Sequence, residues 1–409
     1  MNVLLLGNGF DINYKLPTKY INFLNTVNFL STMPNLDRQC VGEVFGAQSL
    51  QFEDKGIFDS YEAYQKIYDR VPLDLEAVEK LTTLASDNLL YRFLHETYNK
   101  DIGWIDFEKE IFAIISAFGE FLQKDSPDFF PKPHHMRFED RVIVSYFDFL
   151  TKSTVSQFLE SDSGTVNDEY VMEYPYNSGN KVINKEAIIH ELEKQLQELS
   201  EGLQIYLKCF VENVVAELCR DGLLEQLPAL MPADKVITFN YTNTYEQVYC
   251  NNAVFHIHGD LDRKIVLGVN PDKADEFETI DISFLKFKKY YQRVLYHTDD
   301  DFLEWIAEKD VVMQLVVMGH SLDVTDRDII TQVFDKARNI TILYFNEDSE
   351  ASLIANLIKI YGKTGFDTLR FEKRLQFLPQ TATYEYFAED RAKKKAEKEN
   401  SILMTMLGK

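Results

Sequence analysis

Basic charge is what this sequence has little of: 43 Lys and Arg stand against 66 Asp and Glu, a net charge of −23 at neutral pH. A polyanionic surface repels phosphate backbones, so extended DNA or RNA is not an expected partner, and a bound nucleotide must rely on local backbone dipoles instead of a basic field. Cysteine is also sparse. Cys40, Cys209, Cys219 and Cys250 are widely spaced without a Cys-x-x-Cys pair, which argues against a zinc ribbon and a disulfide framework and suits a reducing cytoplasm. No apolar run approaches the roughly 18 residues of a membrane span, and the N-terminal residues lack a basic start and a cleavage site, so a soluble, cytoplasmic, unprocessed chain is expected. Glycine (17) and proline (11) are few, whereas 45% of the 409 residues are hydrophobic and 13% aromatic; this composition fits a well-packed, helix-rich globule of about two units.

What is present begins with an apolar strand, Val3 to Leu6, that runs into Gly7-Asn8-Gly9-Phe10-Asp11 and reaches Pro17. Glycines at a strand-to-helix turn let a diphosphate approach helix-start amides, which makes a nucleotide the first ligand to consider. The third glycine of the dinucleotide fingerprint is replaced by Ile12, so a tight turn with Asp11 as helix cap stands beside that reading. Other strand-like runs lie at 235–241, 253–258, 264–269, 311–318 and 339–345. Between the first run and the rest, two helical faces stand out: Ile111, Phe112, Ile115, Phe118 and Leu122, and Ile188, Leu192, Leu196, Leu199 and Leu203.

The expected fold is therefore α/β, a Rossmann-type parallel sheet with a large all-helical insertion. Residues 1–60 and 231–370 form the sheet domain with the first strand central, 61–230 the insertion, and 371–409 a charged helical tail. Residues 160–184 are expected to be a mobile loop or small hairpin, and Asp299-Asp300-Asp301 a solvated loop edge.

Polar residues gather at the carboxyl ends of strands, where ligands of open parallel sheets bind. Asn240 follows Val236-Ile-Thr-Phe, His258-Gly259 follows Val254-Phe-His-Ile, and Gly319-His320-Ser321 follows Val316-Val-Met. His256 lies two positions before His258 and is expected to share its face as a packing neighbour. With Asp260, Asp262, His320 and Asp323, the two histidines also suggest a metal-dependent phosphoesterase or nuclease, yet the first strand offers no Asp-x-His pair and no metal is expected. Trp104, Asp106 and Glu108 precede an amphipathic helix; acids at a helix start are explained by its dipole, or they shape the crevice.

Together these motifs resemble sirtuin-type NAD-binding folds and, over most of the chain, the AbiH family of bacterial abortive-infection proteins. Gly7, Gly9 and Pro17 are similar to the sirtuin Gly-Ala-Gly and Gly-Ile-Pro elements, Thr238-Phe-Asn240-Tyr-Thr242 to Thr-Gln-Asn-Ile-Asp, His258-Gly259 to His-Gly, and Gly319-His320-Ser321 to Gly-Thr-Ser. Gly-Asn-Gly-Phe-Asp, Phe-Asn-Tyr-Thr and Gly-His-Ser-Leu-Asp resemble AbiH patterns. The resemblance implies an antiphage effector that binds NAD and hydrolyses its nicotinamide–ribose bond. Asn240 and His258 would be catalytic, while Gly7, Asn8, Gly9, Asp11, Thr242, Gly319 and Ser321 would bind the nucleotide. A non-catalytic nucleotide-sensing module is the alternative, and a homo-oligomer or a partner protein of a defence system is compatible with either. The sirtuin zinc module is absent, so protein deacylation is not expected, and Thr242 stands in place of the sirtuin aspartate that reads the nicotinamide amide.

Overall fold

The structure is a computed structural model and describes residues 1–32, 40–45, 62–97, 108, 110–111, 114–115, 171–173, 181–227, 230, 232–251, 253–268, 282–308 and 312–380. Strand β1 (Asn2–Leu6) carries four apolar side chains that are at most 1% exposed. Such an uninterrupted run suits a parallel strand covered on both faces. Its residues split between two layers: Leu4 and Leu6 pack with Phe23, Leu196 and Tyr206, while Val3 and Leu5 pack with Ile329, Val333, Phe334 and Leu357.

Two short strands, β2 (Val171–Glu173) and β3 (Lys181–Ile183), pair antiparallel as a hairpin inside the 160–184 segment. The main sheet continues with β4 (Lys235–Thr238), β5 (Val254–His256), β6 (Met313–Met318), β7 (Ala337–Tyr344) and β8 (Leu375–Pro379). Its order is β5-β4-β1-β6-β7-β8 and every neighbouring pair is parallel. Taken in chain order, the six strands are arranged 3-2-1-4-5-6, the doubly wound order of dinucleotide-binding sheets, and strand order reverses between β1 and β6. The first strand is central, as its apolar run requires.

Three expectations are corrected. The sheet does not stop at residue 370: beyond the helix Glu347–Phe371 the chain adds β8 beside β7, a half-buried edge strand on which Pro379 is tolerated at the terminus. The rest of the tail, from 381, lies outside the described residues. Of the run expected at 264–269, residues 264–268 form no strand, although Ile265, Val266 and Leu267 are buried; residue 269 lies outside the described residues. Its polar backbone groups serve other partners: Val266 N donates to His258 O at 2.8 Å, Val266 O accepts from Tyr241 at 2.7 Å, and Leu267 O accepts from Gln292 at 3.1 Å. Finally, Asp299 is not a solvated edge. It is buried and accepts from Arg293 Nε at 3.0 Å, because a fully buried guanidinium requires a carboxylate partner.

The helix Lys185–Tyr206 buries Ile188, Leu192, Leu196, Leu199 and Leu203, the face its periodicity indicates. Ile111 and Ile115 are buried as well; Phe112, Phe118 and Leu122 lie outside the described residues. Among the described residues no helix is long and apolar enough to cross a membrane.

Candidate functional site

The carboxyl ends of β1, β4 and β6 and the turn after β5 open into one cavity of about 850 Å³. All nine residues singled out from the sequence line it: Gly7, Asn8, Gly9, Asp11, Asn240, Thr242, His258, Gly319 and Ser321. The helix Glu347–Phe371 supplies a wall through Ser352, Asn356 and Lys359.

The glycine turn works differently from a free phosphate cradle. Gly7 N donates to Met318 O (3.1 Å), Gly9 N to Gly319 O (2.9 Å) and Phe10 N to Gly7 O (2.8 Å), so three of its amides are engaged within the protein. A Cβ on Gly7 would lie 2.6 Å from His320 Cα, and one on Gly9 2.6 Å from Gly319 Cα. Gly319 has φ +70° and would itself press a Cβ to 2.3 Å from Phe10 N. Two backbone turns thus interlock, and the missing side chains are required for that contact. Gly9→Val is therefore expected to abolish folding rather than block binding selectively, which soluble expression and circular dichroism will show.

Nor does Asp11 cap the helix Gly9–Asn13, which contains it. Its Oδ2 accepts from Thr242 Oγ1 at 2.6 Å, while its buried Oδ1 has no partner. Burial raises the carboxyl to about 7; the Thr242 hydroxyl, with Thr244 and Asn240 nearby, opposes the rise and the charge of Glu246 adds to it. Thr242, just beyond the end of β4, thus holds a carboxyl supplied by the helix that follows β1.

His256 and His258 do not share a face, because the chain turns immediately after β5. His256 donates from Nδ1 to Asn240 O (3.0 Å), and its Nε2 lies 2.6 Å from Glu246 Oε1. Burial disfavours its charge, but the Glu246 carboxylate outweighs burial and raises its pKa. It braces the Asn240 loop from behind. With both nitrogens engaged, His256 is no ligand partner for His258, and among the described residues no group of three or more His, Cys, Asp or Glu is arranged to hold a metal ion. Gly259 has φ +80° and a Cβ there would meet Lys264 O at 2.3 Å, which accounts for glycine after His258.

Around His258 lies a buried charge network. Its Nε2 is 3.2 Å from Asp326 Oδ1, off the straight N–H direction. Lys289 Nζ lies 3.2 Å from the same oxygen and 2.8 Å from Glu108 Oε2. Burial and the Lys289 charge depress His258 to about 4, against the pull of Asp326, so the imidazole is neutral at pH 7. Burial disfavours the Asp326 carboxylate, but Lys289 and His258 hold it well below the usual range. Lys289 is raised: Asp326 and Glu108 outweigh its burial. Burial lifts Glu108 to about 7 despite Lys289, with Asp326 adding to the rise. Phe239 packs edge-on against His258 at 5.2 Å and against His320 at 4.2 Å, giving the imidazoles an apolar side.

Residues 3–346 match the family described as bacteriophage abortive infection AbiH. The chain belongs to the AbiH family. No curated protein and no solved structure matches it.

Two residues of this AbiH site, Lys289 and Asp326, escaped sequence reasoning. Lys289 closes Lys286-Phe-Lys-Lys, which reads as a solvated basic patch, and Asp326 precedes the helix Arg327–Lys336, where an acid reads as a cap. Glu108 is in the crevice and not merely at a helix start; Trp104 and Asp106 lie outside the described residues.

Proposed function

We propose that this AbiH protein acts in abortive infection by binding NAD, or a closely related nucleotide, and hydrolysing its nicotinamide–ribose bond. The observation that carries the reading is a neutral, buried imidazole, His258, lining the same strand-end cavity as Asn240. Breaking the C1′–N bond releases neutral nicotinamide and leaves an oxocarbenium-like ribose. Water adds at C1′ and loses one proton, giving ADP-ribose. Asn240, lining the same cavity, orients the water or a ribose hydroxyl. His258 accepts the proton, and the Asp326 carboxylate stabilises the imidazolium that results. The motif likeness to sirtuins supports the choice of NAD.

Incubating the purified protein with NAD and separating the products tests this. The wild type is expected to release nicotinamide and ADP-ribose, and Asn240→Ala and His258→Ala each to lose roughly 10²- to 10⁴-fold in rate while remaining folded. Wild-type protein that binds NAD by calorimetry yet leaves it intact would establish the sensing alternative. Cleavage by His258→Ala at the wild-type rate would remove His258 from the chemistry.

A further inference from the structure

We infer that Asp326 is a positioning residue for His258: it fixes the proton on Nε2 and turns Nδ1 toward whatever occupies the cavity. The inference rests on the site proposed above and deepens it by naming the basic atom. Nε2 is the buried nitrogen of His258, and the polar atom facing it is Asp326 Oδ1 at 3.2 Å. A carboxylate accepts but does not donate, so the neutral ring meets it as the Nε2–H tautomer, leaving the Nδ1 lone pair free to accept a proton.

Asp326 is well held for this task. It closes the 3₁₀ turn Val324–Asp326, its amide donates to Asp323 O at 3.2 Å, and Lys289 Nζ fixes the same Oδ1. His320 approaches the other oxygen, with Nε2 3.7 Å from Oδ2; because His320 Nδ1 accepts from Leu322 N at 2.9 Å, its neutral ring also carries the proton on Nε2. One carboxylate thus faces two Nε2–H groups and one ammonium. The charged and titratable groups around His258 are then Lys289 and the deeper Arg293 on one helix, Asp326 and His320 beyond β6, and Glu108 across Lys289.

The proton that His258 accepts in the reaction arrives on Nδ1 and makes an imidazolium, whose Nε2–H then faces a full negative charge at ion-pair distance. Asp326 itself remains ionised throughout, so a single proton moves from water to the ring. Its part is to choose the tautomer and orient the ring.

The test reads the tautomer directly. Long-range proton–nitrogen spectra of the ¹⁵N-histidine-labelled wild type, assigned with His258→Gln, are expected to show His258 neutral with Nε2 protonated at pH 7. In Asp326→Ala, which removes the acceptor and leaves Lys289 paired with Glu108, Nδ1–H is expected to appear, because no carboxylate then holds the proton on Nε2. NAD cleavage by that variant is expected to fall roughly 10²-fold or more in kcat with little change in KM and with an altered pH profile. Nδ1–H as the wild-type tautomer, or an unchanged tautomer in Asp326→Ala, would overturn the inference. Should the wild type not cleave NAD, the functional proposal fails while the spectra still decide the role of Asp326.

Discussion

Asp11→Asn is expected to stabilise the fold above pH 7 and at the same time weaken ligand binding. The Asp11 carboxyl is raised by burial from 3.8 to about 7, with one oxygen held by Thr242 and the other without a partner. Keeping it ionised inside the protein costs up to roughly 4 kcal/mol. The sign follows from proton binding: between pH 3.8 and about 7 the folded state holds a proton that the unfolded chain has released, so stability falls as pH rises and levels off above 7. An amide carries no charge, still accepts from Thr242, and removes that slope. Urea denaturation at pH 5 and pH 8 should therefore show the variant gaining on the wild type chiefly at pH 8. Binding should change in the opposite direction, because Asp11 lines the cavity and a carboxylate accepts from a ligand hydroxyl more strongly than an amide does. An Asp11→Asn protein less stable than wild type at pH 8 would mean that Oδ1 has a partner after all.

At the acid end His258 works in the other direction. Its pKa is depressed from 6.5 to about 4, so its contribution to stability is complete above 6.5 and is lost as pH falls toward 4.

Lys289→Met should be the most damaging single substitution in the site. Lys289 is 2% exposed and stands between Glu108 and Asp326, and removing one member of a buried ionic group strands the others at a cost of about 3–5 kcal/mol. Part of that loss should be recoverable. Adding Glu108→Gln to Lys289→Met removes one stranded acid, and a double-mutant cycle by denaturation should show a favourable interaction between the two changes. Additive losses would mean that Glu108 and Lys289 are not coupled in the folded protein. The cycle also tests a contact between distant parts of the chain, since Glu108 and Lys289 lie far apart in sequence.

The central strand, the parallel order and the residues of the crevice were legible because they leave local marks. Val3 to Leu6 is apolar throughout, and Asn240, His258 and Gly319 each directly follow a strand-like run. What those residues do inside the crevice was less legible. Gly7 and Gly9 look like a phosphate cradle, and only the facing Gly319 turn reveals that their amides are already engaged. Asp326 and Lys289 are each indistinguishable from surface charges until tertiary structure places them around one imidazole. The strand expected at 264–269 failed for a related reason: burial makes it apolar, but its hydrogen bonds go to side chains and a turn, which hydrophobic pattern does not encode. β8 was missed because its five residues follow a long helix and sit half-exposed on an edge.

The interlock of Gly9 with Gly319 also sets when the crevice comes into existence as the chain is made. β1 emerges long before β4 and β6, the neighbours between which it lies, and the bond from Gly9 N to Gly319 O cannot form until the third motif has followed. Lys289 reaches the growing chain before Asp326, so the carboxylate facing His258 is the later of the two, and the wall from the helix Glu347–Phe371 follows both. A polypeptide that stops before residue 319 can hold Asn240 and His258 and still have no closed pocket around them. Any fragment that ends before residue 319 therefore lacks the backbone bond from Gly9 N to Gly319 O that locks the two turns together.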